Sequence, residues 1–332
     1  MRTSTVLVLL LAVACESTDG PDSTGYTDTE TDTETDTDAP TPEEEFALLV
    51  TESPPGPDNQ DPANWGGVLQ YTFVESGAPL VPATGIDATE LHDPAGLGFR
   101  SVSEEMFVGN RHGSISVDGV AGSIHRFVYD PDARTFAASG EITGNGLGAV
   151  HQLAFDPATG ELFAANYTTG ISRFIFDASG AALPNGVIGA GTMRGVTVAP
   201  SGTRLYATSA GDDIRQFDLT TGAELPATFV ETGAALHFLA LHGDELYVAA
   251  FSTGRIHRFA VAADDSLTLI DSVDASQPVS IAFSEDGLEM FTAGHKDSDV
   301  IQRFAYDATN DTWTLTETVD AGSSLGALLV LE

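Results

Sequence analysis

A four-residue segment of the form Ile-x-Arg-Phe returns repeatedly along this chain, and a chain that repeats at such intervals must fold as a series of equivalent units. Five copies are plain: Ile124 to Phe127, Ile171 to Phe174, Ile214 to Phe217 with its middle pair exchanged, Ile256 to Phe259, and Ile301 to Phe304. Val68 to Tyr71 is a degenerate earlier copy. Measured on the final aromatic residue, the copies lie 56, 47, 43, 42 and 45 residues apart. A unit of that length cannot bury an apolar face alone, so neighbouring units must stack.

Two further apolar strands precede each plain copy. The first reads AGLGF (Ala95 to Phe99), HQLAF (His151 to Phe155), RGVTV (Arg194 to Val198), HFLAL (His237 to Leu241), VSIAF (Val279 to Phe283) and GALLV (Gly326 to Val330). Its third residue is always branched and apolar and its fourth usually small, as crowded strands near an axis require. Turns such as DPATGE (Asp156 to Glu161) lead into a second strand, MFVGN, LFAAN, LYATS, LYVAA or MFTAG; their Asp, Pro and Gly are hairpin chemistry. The Ile-x-Arg-Phe segment forms the third strand and a more polar strand, such as Thr135 to Glu141, the fourth. Four strands per unit at this period predict an all-β propeller of six four-stranded blades, with seven as the alternative. The last blade lacks its second strand because the chain ends at Glu332, and Glu45 to Thr51 has the missing pattern. An N-terminal strand is therefore expected to complete the last blade and leave no free sheet edge.

The paired strands of the form AFDPxGxxLFAAN resemble those of YncE-like and lactonase-type propeller proteins over residues 46–332. That group usually has seven blades, and the motif is a blade signature that carries no catalytic residue. The resemblance brings one activity into view, hydrolysis of a lactone or ester. Sugar-lactone hydrolases on six-bladed propellers use axial amides and carboxylates around a divalent cation. Asn110 and Asn166 can stand for the amides, but only Glu52, Glu90 and Asp93 lie near the carboxylate positions. A phosphogluconolactonase fits less well, since its substrate is cytosolic and the N-terminus below reads as an export signal.

Residues 1–14 combine Arg2, an apolar run from Val6 to Val13 and small residues before Cys15, the only cysteine. The run is too short to span a bilayer and reads as a cleaved signal. A cysteine directly after it resembles the lipobox of bacterial lipoproteins, which implies lipidation of Cys15, attachment to the membrane through that lipid, and residence in the cell envelope. Residues 15–45 form an acidic Asp/Thr/Glu-rich linker with twelve acids and no base; such a segment cannot offset its ordering entropy and is expected to be a disordered spacer. Residues 46–332 make up the propeller domain. There 37 acids still outnumber 12 bases, which excludes nucleic acid as a partner. A monomer is expected.

No nucleophile elbow, P-loop, HExxH or dinucleotide fingerprint is present. In a propeller the loops entering the first strand and leaving the second emerge together at one end of the axis. The first group supplies His92, His151, Arg194 and His237; the second supplies Asn110, Arg111, His112, Asn166, Ser209, His295 and Lys296. Donors converging in a partly desolvated funnel favour an anion. The leading expectation is non-catalytic binding of an anionic small molecule, a glycan or an envelope protein at this face. The alternatives are an extracytoplasmic lactone or ester hydrolase at the same face, and a scaffold that presents its outer loops. No cofactor is expected. A divalent cation held by His151 and His237 is the lesser possibility, because Arg194 falls between them in blade order. His125, His242, His257 and the repeated arginines Arg126, Arg173, Arg258 and Arg303 are expected to serve the fold.

Overall fold

A computed structural model describes residues 46–53, 66–73, 77–86, 91, 93–111, 122–295, 298–322 and 324–331. The expected signal, Cys15 and the acidic linker lie outside the described residues, as do His92, His112 and Lys296. The described strands form six antiparallel sheets of four strands each, the six blades of a propeller. Among the described residues no helix is long and apolar enough to cross a membrane.

Blades one to five follow chain order, with innermost strands at Pro94–Arg100, Val150–Phe155, Met193–Val198, Leu236–His242 and Pro278–Phe283. The closing blade is shared between the chain ends. Phe46–Ser53 is inserted between the inner strand Ser324–Leu331 and Gly67–Phe73, with Leu48 opposite both Val330 and Tyr71. Leu48, Leu49 and Val50 are fully buried there. Each contributes about 1.5–3 kcal/mol of burial, so the pairing that joins the termini is held by packing as well as by backbone bonds.

The repeated arginine is a structural element, and its partner is a glutamate at the start of the second strand. Arg126 bonds Glu105 at 2.6 Å, Arg173 bonds Glu161 at 2.7 Å, and Arg258 bonds Glu245 at 3.1 Å. The Arg303–Glu289 pair is the most buried, with side-chain exposures of 1% and 2%. Two residues after each glutamate comes an aromatic on the same strand face, Phe107, Phe163, Tyr247 or Phe291, over which the guanidinium lies at 5.4–5.8 Å. In blade three, where the repeat reads Ile-Arg-Gln-Phe, Arg204 takes the glutamate's place and bonds Gln216 at 3.3 Å. The exchanged motif therefore keeps a polar pair at the same point of the blade.

Along the inner strands the second and fourth residues face the axis. The fourth residues, Gly98, Ala154, Thr197, Ala240, Ala282 and Leu329, line a cavity of about 420 Å³ around the axis. The second residues are Gly96, Gln152, Gly195, Phe238, Ser280 and Ala327. Two of these are large, and they fill the space that four small ones leave. Phe238 lies buried in one cluster with Leu97 and Ala327. Gln152 donates from Nε2 to the Leu239 carbonyl at 2.7 Å and accepts from the Val196 and Leu239 amides at 2.9 and 3.1 Å. Glycine is required at two of the small positions: a Cβ on Gly96 would sit 2.8 Å from the His151 carbonyl oxygen, and one on Gly195 would sit 2.6 Å from that of His237.

Candidate functional site

In all six blades the pairing of the inner with the second strand shifts register at the start of the inner strand. The shift falls between Pro94 and Gly96, Val150 and Gln152, Met193 and Gly195, Leu236 and Leu239, Pro278 and Ser280, and across from Val50 and Glu52 in the closing blade. A β-bulge adds an unpaired residue and re-aims its side chain. His151, Arg194 and His237 all sit at these bulges, which explains why residues of one strand rank meet at the end of the axis.

A second rank joins them from the residue that follows the second strand: Arg111, Tyr167, Phe251 and His295. The His151 ring stacks on Tyr167 at 5.0 Å with planes 17° apart, and meets Phe238 edge-on at 6.5 Å. Arg194 lies over the same Tyr167 ring at 5.9 Å and donates to the Leu236 carbonyl at 3.2 Å. Phe251 packs against His237 at 5.5 Å and His295 at 6.2 Å. Arg111 is paired with Asp93 at 2.6 Å. The result is a cup walled by imidazoles, guanidiniums and two aromatic rings, with Phe238 beneath His151.

Each imidazole is pushed toward its neutral form. Burial comes first, and the positive charge of Arg111, with His237, Arg194 and His295 behind it, holds His151 well below its ordinary value. His237 is depressed in the same way by burial and then by Arg194, His295 and Arg111. For His295 burial again leads and Arg111 adds to it, while a bond to the Leu325 carbonyl and the nearby Asp93 and Asp299 oppose them. Its Nδ1 lies 3.2 Å from the Leu325 oxygen and 2.6 Å from Ser324 Oγ. The carbonyl can only accept and the hydroxyl can also donate, and the two contacts together hold the ring by its Nδ1 edge, with Nε2 turned away from them.

Five of the residues expected at this face thus belong to one cup or its wall: Arg111, His151, Arg194, His237 and His295. The amides do not. Asn110 and Asn166 are fully buried, and both face into their own blades. Asn166 accepts from the Gly148 amide at 3.0 Å and donates to Ala164, Gly170 and Ser172; Asn110 donates to Ser123 at 3.2 Å. Ser209 likewise turns to Asp213 and the Gly211 amide. Side chains alternate along a strand, so the residue one step later, Arg111 or Tyr167, is the one that looks into the cup. Tyr167, Phe251 and Phe238 were not anticipated from the sequence. Aromatics there read as ordinary core, and only the alternation from the second strand would have singled out Tyr167 and Phe251.

His125, His242 and His257 lie away from the cup. His125 contacts Glu141 at 3.4 Å, His242 stacks on Phe283 at 4.7 Å, and His257 is held by Ser272 at 2.7 Å and Glu231 at 2.5 Å. Among the described residues no three of His, Cys, Asp and Glu converge in a way that can hold a metal ion.

No family model and no curated protein matches this chain by sequence. Its fold is shared with solved propellers. The periplasmic gluconolactonase of Pseudomonas aeruginosa superposes with a TM-score of 0.62 at 17% identity, covering 83% of each chain. A provisionally assigned 6-phosphogluconolactonase of Bacteroides uniformis gives 0.60 at 17% identity over 83% of each chain. A chain of a nidogen/laminin complex gives 0.61 at 12% identity, covering 86% of this chain and 98% of that one. At such identities the likeness is one of fold, a β-propeller.

Proposed function

We propose that the axial cup binds a sugar-acid lactone and hydrolyses it, outside the cytoplasm. The observation that carries the reading is the meeting of imidazoles pushed toward their neutral form, one of them anchored at Nδ1, with the Arg194 guanidinium over an aromatic face. Lactone opening needs a base for the attacking water, positive charge for the oxygen that becomes negative, and an apolar face for the ring. His295 Nε2 suits the first role, since Nδ1 is engaged by Leu325 and Ser324 and Nε2 is the nitrogen left to meet the water. Arg194 suits the second: it donates to a backbone carbonyl, and among the described residues it pairs with no carboxylate. Water adds to the ring carbonyl as His295 takes its proton. The ring C–O bond then breaks, the proton passes from His295 to the departing ring oxygen, and the aldonic acid so formed gives its remaining proton to solvent and leaves as the aldonate.

Two of the similar folds are named for lactone hydrolysis, and one of those proteins is periplasmic. That agrees with the export signal and the lipid attachment at Cys15 that the N-terminal sequence suggests. An unphosphorylated lactone fits best, since a phosphate dianion would have to approach a chain of net charge −36.

Non-catalytic capture of an anion at the same cup is the second reading, favoured by the depressed imidazoles, which are weak bases. Glucono-δ-lactone turnover, corrected for spontaneous opening, and gluconate binding by calorimetry separate the two. Turnover lost in H295Q with gluconate binding retained supports the hydrolase. Gluconate binding by the wild type without turnover establishes capture, and neither result in the wild type overturns both readings.

A further inference from the structure

Tyr167 occupies a place in the cup that neither catalytic role explains. It follows the second strand of blade two and is half-buried. One ring serves two residues from different blades: His151 of blade two stacks on it nearly parallel, at 5.0 Å and 17°, and Arg194 of blade three lies over it at 5.9 Å. Its own backbone is fixed by a bond from its amide to the Ala149 carbonyl at 2.8 Å. The equivalent residues of the neighbouring blades are Arg111 and Ala210, and neither offers such a platform.

A long arginine on a bulged strand has many rotamers, and the bond from Arg194 to the Leu236 carbonyl fixes one end of the fork. A π-face under the guanidinium removes much of the remaining freedom, and stacking fixes the plane of the imidazole beside it. Both effects depend on an aromatic ring and neither depends on the phenol oxygen.

We propose that Tyr167 is a positioning residue that sets His151 and Arg194 in a fixed mutual geometry, so that the cup meets its ligand as a preorganised pair of donors. The proposal rests on the lactone reading for its effect on turnover, and it stands apart from that reading in its effect on His151. Without that ring His151 loses part of its burial, the leading cause of its depression, and Arg194 is freed to move toward water, which weakens a smaller repulsion of the imidazolium.

The test compares Y167F, Y167L and wild type, each checked for an unchanged unfolding transition. Histidine ring-proton resonances are followed with pH, and His151 is assigned from H151Q. Y167F is expected to match the wild type in all respects. In Y167L the His151 titration should move upward in pH, gluconate affinity should fall about tenfold, and lactone KM should rise by a similar factor. If the wild type does not turn over lactone, the titration and the gluconate measurement still decide the matter. A His151 titration identical in Y167L and wild type overturns the proposal. So does a Y167F variant that behaves like Y167L, since the hydroxyl and not the ring would then be responsible.

Discussion

Replacing Gln152 with leucine probes whether the axis is held together by one side chain. The inner edge of each inner strand has no neighbouring strand to pair with, because the next element across the axis belongs to another blade. Gln152 supplies partners for three backbone groups there: the Leu239 carbonyl at 2.7 Å, the Val196 amide at 2.9 Å and the Leu239 amide at 3.1 Å. Leucine keeps the volume of the plug and removes all three bonds. A buried backbone group without a partner costs about 1–3 kcal/mol. Three such groups set an upper bound of roughly 9 kcal/mol, but the cavity of about 420 Å³ is lined by the same residue and can admit water to some of them. We therefore expect a loss of about 3 kcal/mol, read by urea unfolding followed through the intrinsic tryptophan fluorescence and by a Tm lowered by roughly 6 °C. Q152E distinguishes the donor from the acceptors. It can still accept from both amides but cannot donate to Leu239 unless protonated, so its deficit should shrink as the pH is lowered toward 4. A Q152L protein within about 0.5 kcal/mol of the wild type would refute the bridging role, because a side chain whose bonds matter cannot be deleted at that cost.

Breaking the buried Arg303–Glu289 pair with R303L should destabilise the fold by about 3–5 kcal/mol in the same assay, since it leaves a buried carboxylate without its cation and with the Gly77 amide as its remaining donor. The more exposed Arg215–Glu224 pair is the control, and E224Q should cost under about 1 kcal/mol. The histidines of the cup give the stability a pH dependence of known sign. His151 and His237 are depressed when folded, so the unfolded chain binds more protons, and their contribution is full above about pH 6.5 and is lost as pH falls through the folded values. Unfolding free energies measured between pH 7.5 and 4.5 should therefore decline more steeply for the wild type than for the H151Q/H237Q double variant. Lipid attachment is checked by labelling with palmitate in a bacterial host. Label on the wild type that disappears in C15S supports it, and label that survives the substitution sinks it.

The blade repeat was legible in the sequence for a simple physical reason. Each Ile-x-Arg-Phe segment buries its isoleucine and phenylalanine, as Ile171 and Phe174 do completely, and such a requirement must be written out afresh in every blade. Ring closure could be read because the strand missing at one end has its pattern at the other. The glutamates that pair with the arginines went unread in the sequence, because nothing local marks them as partners. The axial face was legible as a rank of His and Arg residues, and Arg111, His151, Arg194, His237 and His295 do converge.

Which side chain of each pair looks inward, and what fills the axis, follow from the packing of the blades around one another. A step of one residue reverses the face of a strand, so Asn166 serves its blade and Tyr167 the cup, although both leave the same strand together. The bulges that aim His151, Arg194 and His237 carry no sequence mark, because they arise from pairing between strands. Gln152 bonds a residue 87 positions away across the axis, a contact that exists only once all the blades have closed. The unit and its count are written in the chain, since both are set by local burial repeated along it. The site depended on the closed ring, since its geometry is made of relations between units that no single unit contains.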